Sequence, residues 1–214
     1  SWIAQEILNG ISTHPAAMAY VSGLSNPLKI HAEKHIGSRW ILKVDIKNFF
    51  NNISEQQVYK VFKGFGYPKL LSFEMARLCT RVTPNRRGNR WNKVIRKKYT
   101  SLYTNRIIGS LPQGAPTSPA LSNLVFFKAD EDLGVLAEEN GAIYSRYADD
   151  LCFSFFESNR NSVVSFKKSV LQVLWNYKFE ENSDKTRIIP PGCRKIITGV
   201  VIDSGKTTIP KELR

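Results

Sequence analysis

The sequence is short of several things, and each shortage narrows what it can be. No run of about 18 apolar residues occurs, which leaves no segment able to cross a membrane as a helix. Cysteines number only three, Cys79, Cys152 and Cys193, odd in count and far apart. That argues against a disulfide scaffold or a zinc ribbon and for a reducing compartment, a cytoplasm in our reading. Of three histidines, His31 and His35 stand four apart, but no Glu follows His31 directly, so the zinc-protease pattern is missing. They are expected to be hydrogen-bonded structural residues. The opening SWIAQEILNG lacks a basic segment leading into an apolar one, as a secretion signal would have, and lacks Met. We read it as the start of a trimmed fragment. Repeats and low-complexity tracts are missing too.

Acidic residues are scarce in one place above all. Between Glu74 and Asp130 there is none, while the same stretch carries Arg77, Arg81, Arg86, Arg87, Arg90, Lys93, Arg96, Lys97, Lys98, Arg106 and Lys128. These eleven supply most of the net charge of +13. Trp91, Tyr99 and Tyr103 lie among them, so flat faces alternate with phosphate-seeking charges. A solvated basic loop has this composition as well; the field suits a polyanion without naming it.

Periodicity gives the order of elements. Ile3, Ile7, Leu8 and Ile11 predict an amphipathic helix over the first dozen residues. Residues 15–37 are mixed, broken by Gly23, Pro27 and Gly37. WILKVDI, Trp40 to Ile46, reads as a strand. Ser54 with Gln57 resembles a capping box opening a helix to about Lys63, and Pro68 opens another through Leu78. The basic segment 81–106 reads as a hairpin or mobile loop. Ser118 and Pro119 start a helix to about Glu139. IYSRYADDLCFSF then reads as a hairpin, Val163 to Leu174 as a helix face, and Thr186–Ile189, Lys195–Ile202 and Thr207–Ile209 as short strands. This order predicts an α+β fold, an antiparallel sheet with helices on one face.

Asp149 and Asp150 are adjacent carboxylates at the predicted hairpin tip. Like charges so placed raise each other's pKa, and most Asp-Asp pairs are simply solvated turns. A third carboxylate, Asp45, ends another predicted strand. If the strands are neighbours, three hard oxygen donors meet at one sheet rim, which suits Mg²⁺.

With these residues in view the chain resembles the reverse transcriptases. YADD between apolar strands resembles their YxDD box, LPQGAPTSPALSN (Leu111 to Asn123) their fingers-to-palm segment, and VDIKNFF (Val44 to Phe50) their first-aspartate motif, in matching order. The resemblance implies a polymerase right-hand palm with partial fingers and no thumb. It implies fingers remnants at 1–37, palm at 38–53 and 118–193, basic fingers at 54–117, and a primer-grip hairpin leading toward a thumb at 194–214. It further implies two Mg²⁺ ions, replaceable by Mn²⁺, on Asp45, the Ile46 carbonyl and Asp149, with Asp150 supporting. Phe50 falls at the steric gate against a ribose 2′-hydroxyl; one ring of Phe49 and Phe50 must be core. Gln113 and Gly114 would lie over the incoming nucleotide, Tyr147 and Ala148 beneath the primer terminus, and Lys185 near the triphosphate as a proton donor to pyrophosphate. Arg86, Arg87, Arg90, Lys97 and Lys98 would meet primer and template.

Within that family the chain looks most like bacterial retron enzymes, which carry an NAxxH motif and a VTG triplet. HAEKH at 31–35 and ITG at 197–199 match at Ala32, His35, Thr198 and Gly199 and depart at His31 and Ile197. The resemblance implies an RNA template, a DNA or RNA primer and deoxynucleoside triphosphates, with a cognate structured non-coding RNA and an effector protein as further partners and no membrane. Two alternatives stay open: a related bacterial defence or group II intron-like enzyme, including untemplated synthesis, and a catalytically silent RNA-binding scaffold.

Overall fold

The computed structural model describes residues 1–82, 108–203 and 205–208. A single π-helical turn, Ile3–Ile7, is followed by α1 (Pro27–Glu33), β1 (Trp40–Asp45), α2 (Phe49–Asn52), α3 (Glu55–Gly64) and α4 (Lys69–Cys79). After the undescribed segment come α5 (Ser118–Glu139), β2 (Ala142–Tyr147), β3 (Asp150–Phe155), α6 (Arg160–Asn176), β4 (Arg187–Ile189), β5 (Ile196–Ile197) and β6 (Val200–Val201). The chain divides into two compact units: Ser1–Asn9 with Asn48–Val125, and Gly10–Lys47 with Phe126–Arg214.

The first unit is built around α3 and α4. Ser54 caps α3 by the predicted box: its Oγ accepts from Gln57 N–H at 3.4 Å, and its own N–H donates to Gln57 Oε1 at 2.9 Å. Val58 and Phe62 are the buried stripe of α3, Met75, Ala76 and Cys79 that of α4. Glu55 is also buried. Its carboxylate accepts from Arg77 at 3.2 Å, Thr80 Oγ1 at 3.3 Å and the Gly109 N–H at 3.1 Å. A Cβ on Gly109 would come within 2.9 Å of that carboxylate and 2.7 Å of Thr80 Oγ1, so only glycine fits. The predicted helix at the start shrinks to the five-residue π turn, because Gly10, at φ +81°, turns the chain away.

The second unit holds a four-stranded antiparallel sheet in the order β2-β3-β1-β4. Alternation sends Tyr144, Arg146, Leu151, Phe153, Phe155, Leu42 and Val44 to one face, where α5 and α6 cover them. Phe166 of α6 meets Phe153 and Phe155 edge-on at 5.2 and 5.1 Å, and Phe126 of α5 lies under Arg146. The two long helices thus share one face, as the strand and helix order predicts. The opposite face is closed at one end by α1 and the β5–β6 hairpin, with Ala32, Ile41, Cys152, Ile197 and Ile202 as its core. Helix α1 begins at Pro27, where the sequence pattern predicts a break; proline at the first helical position starts a helix instead. The predicted strand 195–202 is two short strands around a turn at Thr198 and Gly199, both at positive φ. Along the outer edge of β2, Ala16 and Met18 exchange backbone hydrogen bonds with Arg146 and shield that edge.

Candidate active site

Strands β1 and β3 pair in a register that sets Asp45 directly opposite Asp150 at the sheet rim. The β2–β3 hairpin closes through only two residues, Ala148 and Asp149, because Tyr147 pairs with Asp150. Ala148 takes the left-handed conformation, φ +57°, which costs a side chain about 1 kcal/mol. The turn is tied back to β1, since the Ile46 N–H donates to the Asp149 carbonyl at 2.9 Å. Three carboxylates thereby come to one end of the sheet from a strand end, a turn and a strand start.

The electrostatics fit a place that wants a cation. Burial raises the Asp149 carboxyl above its ordinary range, and the charges of Asp150 and Asp45 add to the rise. Asp150 is raised by burial and by Asp45, against which Lys43 on the same sheet face works. Lys185, exposed in the turn before β4, donates from Nζ to Asp45 Oδ2 at 3.3 Å. That hydrogen bond, with the charge of Asp45, holds the ammonium above its usual value.

Among the described residues no cluster of three or more His, Cys, Asp or Glu side chains is close enough to form a full ligand cage. Mg²⁺ does not need one: it keeps several waters and takes one or two carboxylates plus substrate phosphates. Asp45, Asp149 and Asp150 are all-oxygen donors of that kind, with a lysine holding one of them, so the donor set fits a hard divalent ion.

The other sequence-predicted residues are placed as follows. Tyr147 ends β2 and is half-buried, and Ala148 is buried. Phe49 is the buried ring of its pair and Phe50 is half-buried, within the short α2 of the first unit. Gln113 and Gly114 are exposed in the same unit, and Gly114 sits at φ +87° with open space around it. Arg86, Arg87, Arg90, Lys97 and Lys98 lie outside the described residues. His31 and His35 are buried and bonded to serines, as structural histidines should be.

Sequence reasoning missed what stands behind the turn. Arg146 and Asp130, both fully buried, form a bidentate ion pair at 2.9 and 2.6 Å. The Tyr144 hydroxyl donates to the same carboxylate at 2.6 Å. Arginine at an inward position of an apolar strand was the available signal. Tyr20 was missed as well: it is partly exposed, at φ +61°, and burial together with the charge of Asp149 raises its hydroxyl pKa.

Comparison with known proteins bears on the family and the fold. Residues 3–199 match the family model described as reverse transcriptase (RNA-dependent DNA polymerase). The Retron Ec86 reverse transcriptase of Escherichia coli is 30% identical over 211 residues, covering 99% of this chain and 57% of that protein. The Retron Mx162 reverse transcriptase of Myxococcus xanthus is 29% identical over 217 residues, covering 98% of this chain and 43% of that protein. The chain therefore spans about half the length of these relatives. Among solved structures, telomerase from Candida albicans, in complex with a TWJ fragment of telomeric RNA, is similar with a TM-score of 0.53 at 14% identity. That likeness covers 80% of this chain and 30% of the telomerase chain and concerns the fold. Motif order, sheet and family model agree, and the chain belongs to the reverse transcriptase (RNA-dependent DNA polymerase) family.

Proposed function

We propose that the protein is an RNA-directed DNA polymerase of the retron type, adding deoxynucleotides to a primer hydroxyl by two-metal nucleotidyl transfer. The observation that carries this reading is the facing of Asp45 and Asp150 across β1 and β3, with Asp149 in the adjoining turn. Asp45, Asp149 and the Ile46 carbonyl would hold two Mg²⁺ or Mn²⁺ ions, with Asp150 in support. Such a pair, when bound, activates the attacking oxygen and offsets charge on the leaving pyrophosphate. Lys185, whose ammonium is held on Asp45, would lie near the pyrophosphate and serve there as a proton source. Phe50 would exclude a 2′-hydroxyl from the incoming sugar, and the open backbone of Gly114, beside Gln113, would admit a triphosphate. Tyr147 and Ala148 would support the primer terminus, while Arg86, Arg87, Arg90, Lys97 and Lys98 would hold template and primer phosphates. The retron assignment is supported by the similarity to retron enzymes along nearly the whole chain.

The test uses the full-length protein expressed with the RNA encoded beside its gene. The expected product is short DNA joined to RNA through a 2′,5′ branch, released by debranching enzyme and lost in Asp149→Asn. Linear DNA alone, still lost in Asp149→Asn, would remove the retron assignment and leave the polymerase. Unchanged synthesis in Asp149→Asn would remove the site.

A further inference from the structure

The cluster beneath the Ala148–Asp149 turn has no part in the transfer just described. Its charges are sealed, with Arg146 and Asp130 both inaccessible to solvent. Burial opposes the guanidinium charge, and the hydrogen bonds and charge of Asp130 outweigh that opposition. Ion pairs buried this deeply return little net stability compared with apolar residues of the same size. Position is the better explanation for this one.

Arg146 Nε and Nη2 fork onto Asp130, and the guanidinium lies 4.7 Å above the Phe126 ring. Nη1 remains, and it donates to the Ala148 carbonyl at 3.0 Å. The bond acts on a specific degree of freedom. Two-residue hairpin turns differ mainly in how their central peptide is rotated, and here that peptide joins Ala148 to Asp149. The next peptide is held from the other side, by the Ile46 N–H on the Asp149 carbonyl. With both flanking peptides fixed, the Cα–Cβ direction of Asp149 is fixed too. The fork on Asp130 ties this setting to the long helix α5.

We propose that Arg146 is a positioning residue for the metal-binding carboxylates, its guanidinium locking the peptide between Ala148 and Asp149 so that Asp149 is aimed before any ion arrives. This rests on the two-metal reading of Asp45 and Asp149. Lysine cannot replace it, because a point donor cannot grip both carboxylate oxygens and reach the turn carbonyl at once.

The test compares the full-length wild type with Arg146→Lys and Asp149→Asn, using Mn²⁺ as probe. Free Mn²⁺ is followed by electron paramagnetic resonance in the presence of primed RNA and a non-hydrolysable deoxynucleotide. Arg146→Lys, with a near-ultraviolet circular dichroism spectrum like wild type, should bind Mn²⁺ about tenfold more weakly, the effect of losing an outer partner of a metal ligand. Its kcat should fall while KM for primed template holds. A folded Arg146→Lys with wild-type Mn²⁺ affinity overturns the proposal. Should that variant not fold, hydrogen exchange on wild type decides. A turn already locked shows equal protection over 146–150 with and without Mn²⁺, whereas protection gained on adding the ion means that the ion, not Arg146, orders the turn. Asp149→Asn separates the two readings: if it binds Mn²⁺ like wild type, the metal site itself is misplaced, and if it alone loses the ion, only the role of Arg146 fails.

Discussion

Strand β2 carries two buried polar clusters, one on each face, made from opposite chemistry. On the helix-covered face Tyr144 and Arg146 meet Asp130, a charged group with a formal anion and cation. On the other face Ser145 stands between His35 Nε2 at 2.7 Å and His31 Nδ1 at 2.8 Å, while His35 Nδ1 pairs with Ser154 at 2.8 Å. Burial keeps both imidazoles neutral, holding each pKa down to about 3. The second cluster is incomplete, since His31 Nε2 has no partner among the described residues. His31 lies 5.9 Å from the Tyr147 ring, next to the turn that Arg146 holds from the other face. The difference teaches what each chemistry is for. A long charged side chain can reach past its own strand to a turn carbonyl, which a serine–histidine chain cannot. The neutral chain fixes the packing of α1 on the sheet without placing another charge near the carboxylates.

The contrast breaks most sharply at Asp130. Asp130→Ala leaves the Arg146 cation buried without its partner, and loss of one member of such a pair costs about 3–5 kcal/mol. Urea unfolding should show this as a lower midpoint; a change below about 1 kcal/mol would mean that water reaches Arg146.

Acid should act on the other cluster. Each imidazole has a folded pKa of about 3 against 6.5 ordinarily, so the unfolded chain binds more protons between these values. The stability contributed by neutral burial is complete above pH 6.5 and is lost as pH falls toward 3. Burial is the main cause, helped by Lys43 and Lys34 for His31 and by His31 and Lys34 for His35. The slope should reach about 1.4 kcal/mol per pH unit for each imidazole. His35→Gln should flatten the dependence of the melting temperature on pH between 6.5 and 4.5, and an unchanged slope would exclude His35 as a source.

Much of this was legible in the sequence, and the reason differs by residue. The capping box of Ser54 and Gln57, the Ser118 helix start and the YADD hairpin are local, fixed by residues within a few positions, and they stand where the pattern puts them. Asp45 was placed by motif and confirmed as a strand end by β pairing with Asp150, 105 positions away, which no local pattern encodes. Arg146 and Asp130 were invisible for the same reason: sixteen residues separate them, and strand and helix periodicity each report only on their own element. Helix α1 was hidden because a proline start and a proline break read alike until the next turn is seen.

The smallest effects sharpen the comparison by removing one hydroxyl from each face. Tyr144→Phe deletes the bond to Asp130, yet that carboxylate still receives Nε and Nη2 of Arg146, and the ring keeps its stack on Phe153 at 4.7 Å. Nothing is left unpaired, and the loss should be about 0.5–1.5 kcal/mol, the net value of an ordinary hydrogen bond. Ser154→Ala also deletes one bond, but it strips His35 Nδ1 of the partner shown at 2.8 Å in a site closed to solvent. That orphaned nitrogen bears a desolvation cost of about 1–3 kcal/mol. The neutral cluster is therefore expected to be the more fragile of the two to a single hydroxyl deletion, although the charged one fails harder when an ion is removed. Parallel urea titrations of both variants at pH 7 would check the order. Tyr144→Phe proving the more costly change would mean that the hydroxyl, and not the arginine fork, holds Asp130 in place.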